Sequence, residues 1–139
     1  MNVLLYAFRE DAADHPRYRE WLLIALRGDE PVGLADTVLS GFLRIVTHRG
    51  IFRPPTPPEE AIAFVDALVE SPTTALLQPG PRHWSIFRNL CLETGARGNL
   101  VADAYLAALA IEYGCEFMTT DRDFARFPSL RWRHPLASR

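Results

Sequence analysis

The chain has 139 residues, of which 48% are apolar, so it is long enough to bury a core and too apolar to be disordered. Its net charge of −2 excludes a globally basic field of the kind that advertises nucleic-acid binding. No apolar run approaches the roughly 18 residues of a membrane span, and Met1 leads into a short apolar run without a basic leader or small-residue cleavage site, which points to the cytoplasm.

Asn2 to Phe8 is a continuous apolar run and suits a strand buried on both faces. Asp14 is placed to cap a helix that starts at His15-Pro16 and runs to about Arg27, with Trp21, Leu22, Ala25 and Leu26 as one stripe. Pro31 to Leu34 reads as a short extended piece. Ala35 or Asp36 opens a second helix to about Thr47, with Val38, Leu39, Phe42, Leu43 and Val46 inward. The proline-rich stretch Arg49 to Pro58 is a loop. Thr56-Pro57-Pro58-Glu59 has the pattern of a capping box with proline at the first helical position, starting a helix to about Glu70. Thr74 to Gln78 reads as a strand, Arg82 to Thr94 as a helix and Gly95 to Gly98 as a turn. Asn99 is the expected cap of a helix that Gly114 ends. Glu116 to Thr120 is a strand, Asp123 to Phe127 a helical turn, and Leu130 to Arg133 a last strand. Strands alternating with helices predict an α/β domain with a parallel sheet between helical layers. Nothing in the composition marks a second domain.

Cys91 and Cys115 are isolated and are expected to be reduced thiols. His15, His48, His83 and His134 lack metal-ligand spacing. All 15 basic residues are arginine. Arginine grips phosphate bidentately, but a GC-rich genome explains the same bias, together with the many alanines.

The chemistry lies near the end of the chain. Asp103 falls in the first turn of an apolar helix, where negative charge is favoured. Asp121 and Asp123 follow an apolar strand directly, and ligands in open parallel sheets bind at the carboxyl ends of strands. Carboxylates that converge without cations repel, and a divalent ion relieves them. Magnesium or manganese, hard ions with oxygen ligands, fit the need. The bland alternatives are a helix-start aspartate favouring the dipole and a turn-and-cap pair. Arg97, in the turn before the Asp103 helix, and Arg44, on a core-facing helix, are candidates for phosphate contact or plain structural residues.

The run Asn2-Val3-Leu4-Leu5-Tyr6-Ala7, the segment Val38 to Thr47, Asp103 in its helix, and Thr119-Thr120-Asp121-Arg122-Asp123-Phe124 together resemble a PIN domain. More narrowly, they resemble the VapC toxins of bacterial toxin–antitoxin pairs. The resemblance implies a three-layer α/β/α fold around a parallel sheet. It implies a magnesium- or manganese-dependent endoribonuclease acting on tRNA, rRNA or mRNA, a homodimer, and a VapB antitoxin that blocks the site. Asp103 and Asp121 match two metal-site acids of the family, and Asp123 an additional acid of some members. Asn2, Asp36 and Thr120 take supporting positions.

Two departures accompany the resemblance. The family's first strand carries Asp-x-Asn. Asn2 matches the asparagine and Met1 the middle residue, so the aspartate would fall one position before Met1, and the expectation is a start upstream. The family's acid on the following helix should fall near Gly41, with Asp36 the nearest acid about one turn away. The alternative reading is a catalytically impaired PIN scaffold that binds antitoxin or RNA. A receiver domain, which would want an acidic pair after the first strand and a late lysine, has neither here.

Overall fold

The computed structural model describes residues 1–137. They form two compact units, Met1 to Leu76 and Leu77 onward.

In the first unit the order is α1 (Asn2–Phe8), α2 (His15–Arg27), β1 (Val32–Ala35), α3 (Asp36–Val46), α4 (Pro58–Glu70) and β2 (Thr74–Leu77), with β1 paired to β2. The expected strand at Asn2 to Phe8 is thus a helix. Its buried residues are Val3, Leu4 and Ala7, a helical spacing that a run apolar at nearly every position cannot display in sequence. Leucine and alanine also favour the helix intrinsically. Side chains of α1, α3 and α4 meet in an aromatic cluster: Phe42, wholly buried, lies 5.5 Å from Phe8 and 5.3 Å from Phe64, ring centre to ring centre. Burying such a ring contributes about 2–3 kcal/mol.

Just past α1, Arg9 ties the proline-rich loop down. Its guanidinium donates to the Pro54 carbonyl at 3.3 Å and to the Thr56 hydroxyl at 3.2 Å, and lies 4.2 Å above the Phe52 ring. Thr56 therefore does not cap α4: its hydroxyl accepts from Arg9 while its own N–H donates to the Val46 carbonyl. The N-cap of α4 is Pro57, with no side-chain hydrogen bond. Gly41 on α3 is covered by Met1, the N-cap of α1. A Cβ built there would overlap the end of the Met1 side chain.

The second unit contains α5 (His83–Thr94), α6 (Asn99–Tyr113), β3 (Phe117–Met118), a 3₁₀ helix (Arg122–Arg126) and β4 (Trp132–Arg133). β3 and β4 run parallel, with Phe117 opposite Trp132 and Met118 opposite Arg133. Residues 119–131 make the crossover, which in a parallel pair needs about a dozen residues. Among the described residues the strands thus form two two-stranded sheets, one pair from each part of the chain. The core of this unit gathers Ala104, Ala107, Ala108 and Ala110 of α6 with Leu90, Phe124, Phe127 and Leu130. Small residues on α6 let its neighbours approach closely. Cys91 and Cys115 are free thiols packed against the same core.

A carboxylate clamp fixes the entry to α5. Glu112 accepts from the backbone N–H groups of Gly80 at 2.8 Å and Arg82 at 2.9 Å, and the Arg82 guanidinium returns a bond to the Glu112 carbonyl at 2.6 Å. Desolvation pushes the Glu112 carboxyl up, but the two backbone N–H bonds, with His83 and Arg82, outweigh it and hold the group below its usual range. No helix of the described residues is long and apolar enough to cross a membrane.

Candidate active site

The three aspartates singled out in the sequence all belong to the second unit, and two backbone devices place them. The first is the turn before α6. Gly98 has φ +56° and ψ −128°, a region that residues with a Cβ avoid. It is the N-cap, and Asn99 is already the first helical residue, so Asn99 does not cap. Asp103 is consequently in the second turn of α6 rather than the first. It is half-buried, next to the fully buried Ala104.

The second device is the turn after β3. Thr119 is buried, and its hydroxyl accepts from the Asp121 N–H at 3.0 Å. One Asp121 carboxylate oxygen in turn accepts from the Asp123 N–H at 2.9 Å, capping the 3₁₀ helix. The turn-and-cap role weighed for Asp121 is thus real. It occupies one carboxylate oxygen, and a carboxylate has acceptor capacity to spare. Sequence reasoning named Thr120, which is half-buried. Thr119 is the residue that sets the turn, and the threonine two positions before an aspartate was the available signal.

The carboxylates act on one another. Burial raises the Asp103 carboxyl above its usual range, and the charges of Asp121 and Asp123 raise it further. The ion pairs among the described residues, Arg9–Asp11 and Arg133–Glu116, use none of the three. Among the described residues no three of His, Cys, Asp or Glu stand close enough to enclose a metal ion. In kind, however, the donors fit a hard divalent cation. They are all carboxylate oxygens, they repel, and among the described residues no salt bridge engages them.

The remaining candidates, Thr120 aside, are exposed. Arg97 is exposed on the turn before α6. Asn2, Asp36 and Arg44 belong to the first unit, where all three are exposed. Asn2 opens α1 rather than a strand, and Asp36 is the first residue of α3.

The PIN domain family matches residues 1–130. Ribonuclease VapC43 of Mycobacterium tuberculosis is 50% identical over 136 residues, covering 98% of this chain and 92% of the relative. Ribonuclease VapC31 of the same species is 44% identical, covering 96% and 94%. Among solved structures, VapBC2 from Rickettsia felis bound to a DNA fragment from its promoter superposes with a TM-score of 0.72 at 17% identity, over 96% of this chain and 93% of that one. This likeness bears on the fold, and it agrees with the α/β class read from alternating strands and helices. Since it shares half its residues with a VapC ribonuclease over nearly the full length of both, this chain belongs to the PIN-domain family of VapC ribonucleases.

Proposed function

We propose that this chain is a divalent-metal-dependent endoribonuclease, the toxin of a toxin–antitoxin pair, working in the cytoplasm as a single PIN domain. The observation that carries the reading is the 50% identity to a VapC ribonuclease over nearly the full length of both chains; the half-buried Asp103, whose carboxyl is raised by burial and then by the charges of Asp121 and Asp123, marks where the acids gather. Such a group gains most from a cation. Asp103 and Asp121 would hold magnesium or manganese, with Asp123 as the additional acid. When bound, the ion supplies an activated water and polarises a phosphodiester oxygen.

The chain's own residues do the rest. Thr119 fixes the direction of Asp121 through its backbone N–H, so the carboxylate is positioned before substrate arrives. Arg97 is exposed and suited to a backbone phosphate, with Arg44 a further candidate. Thr120, next to Asp121 in the sequence and half-buried, takes a supporting role. The partner is a VapB-like antitoxin, supported by the fold shared with chains of VapBC complexes, and the assembly is a homodimer. A second reading, a binding scaffold with impaired catalysis, draws on Gly41 at the family's acid position and on the open ligand set.

Manganese-dependent cleavage of a mixed tRNA and rRNA pool decides between them. Cleavage by this chain or by a form extended upstream in frame, lost in Asp121→Asn, is the expected result. Absence of cleavage by both, with folded protein verified by circular dichroism, would favour the scaffold.

A further inference from the structure

The segment after β3 has a burial period of three: Phe124, Phe127 and Leu130 are buried, and the residues between them are exposed. In a 3₁₀ helix, side chains three positions apart eclipse. Asp123 and Arg126 therefore share one face of the 3₁₀ helix, while Arg122 lies on the other exposed face, in phase with Ala125. Arg126 is exposed, and among the described residues neither a hydrogen bond nor an ion pair engages its guanidinium. It thus stands one turn, about 6 Å of helix rise, from an acid of the candidate site, without pairing to it.

We propose that Arg126 binds a phosphodiester of the RNA strand next to the one being cut. The proposal rests on the ribonuclease reading. A polyanion that approaches three carboxylates meets repulsion, and a cation on the Asp123 face offsets it where the strand must pass. An arginine kept out of intramolecular ion pairs retains its full donor fork for a bidentate phosphate contact. One turn of separation directs it to a neighbouring phosphate rather than to the reacting one. Arg122 has the same charge and comparable exposure on the wrong face and serves as the internal control.

The test measures binding of a fluorescent single-stranded RNA to the full chain in EDTA across a salt series, for wild type, Arg126→Ala, Arg126→Lys and Arg122→Ala. Arg126→Ala is expected to weaken binding about tenfold and to flatten the slope of log K against log salt by about 0.7, the value for one phosphate contact on a single strand. Arg126→Lys should keep the slope and recover part of the affinity, and Arg122→Ala should resemble wild type. With manganese, Arg126→Ala should raise KM and leave kcat within about twofold of wild type. An unchanged slope in Arg126→Ala, an equal loss in Arg122→Ala, or a fall in kcat at constant KM overturns the proposal while the ribonuclease reading stands. Wild type that neither binds nor cuts RNA overturns both. Melting curves of each variant separate misfolding from lost contact.

Discussion

Asp11 and Asp103 show opposite ways of treating an aspartate. In the first unit Asp11 accepts two bonds from the Arg9 guanidinium, at 2.9 and 2.5 Å, and the hydrogen-bonded arginine holds its carboxyl below the usual range. In the second unit Asp103 is taken partly out of water, faces two further aspartates, and is pushed above the usual range. The first arrangement serves stability and the second costs it. Among the described residues Asp11 is held in an ion pair, whereas the acids of the candidate site stand together without one, a contrast that sets a candidate functional place apart from a structural one.

The largest effect should come from removing the unpaired acid. Asp103→Asn is expected to lower manganese-dependent cleavage at least a hundredfold, since even residues that only support metal ligands are worth 10–100-fold. The same substitution should raise the melting temperature of the metal-free protein at pH 7. The sign follows from linkage: a folded-state carboxyl raised above its unfolded value loses stability as pH climbs through that window and does not regain it above. The gain from Asp103→Asn should therefore vanish below about pH 4, which melting curves in EDTA at several pH values would reveal. A destabilised variant at neutral pH would mean that Asp103 is a structural acid.

Arg9→Ala is the mirror experiment. It removes the Asp11 pair, the bonds to Pro54 and Thr56 and the contact over Phe52, and should lower the melting temperature. Because the Asp11 carboxyl is depressed, its contribution is present above the unfolded carboxylate pKa and is lost as pH falls towards the folded one. The deficit of Arg9→Ala should accordingly shrink in acid, and a deficit independent of pH would assign the effect to the contacts with Pro54, Thr56 and Phe52 rather than to the Asp11 pair.

The smallest effect concerns the Glu112 clamp. A Cβ at Gly80 would lie 2.7 Å from a Glu112 carboxylate oxygen, so Gly80→Ala must push the carboxylate off its two N–H partners. Gly80→Ala and Glu112→Gln should each lower the melting temperature slightly, and the double variant should lose less than their sum. Strict additivity would separate the glycine from the clamp.

Much of this was legible in the sequence. The amphipathic helix from Asp36 and the helix that Gly114 ends lie within a residue or two of expectation, because their apolar period or stop signal is explicit. Asp103, Asp121 and Asp123 stand out in the sequence because several acids gather beside apolar segments, and the structure adds that Asp121 is also the cap of the 3₁₀ helix. Asn2 to Phe8 reads as a strand because an unbroken apolar run carries no period, whereas helix propensity and packing make it helical. Thr56 and Asn99 were read as caps because their local patterns allow it. A guanidinium from beyond the local sequence took the Thr56 hydroxyl, and Gly98 at positive φ started its helix one residue earlier than Asn99 would have. Long-range partners and unusual backbone angles leave little trace in composition.

The alanines of α6 have one more consequence. Ala104, Ala107 and Ala108 have no exposed surface at all, and each added methylene would have to displace a neighbour, at about 1–3 kcal/mol for overpacking. A library randomised along this helix would sort itself by selection for folding. The alanines would return almost unaltered, whereas exposed Val101 and Ala102 would accept most replacements. The placement of Asp103 thus depends on side chains kept small, and anyone redesigning this helix should treat the close packing behind it as fixed.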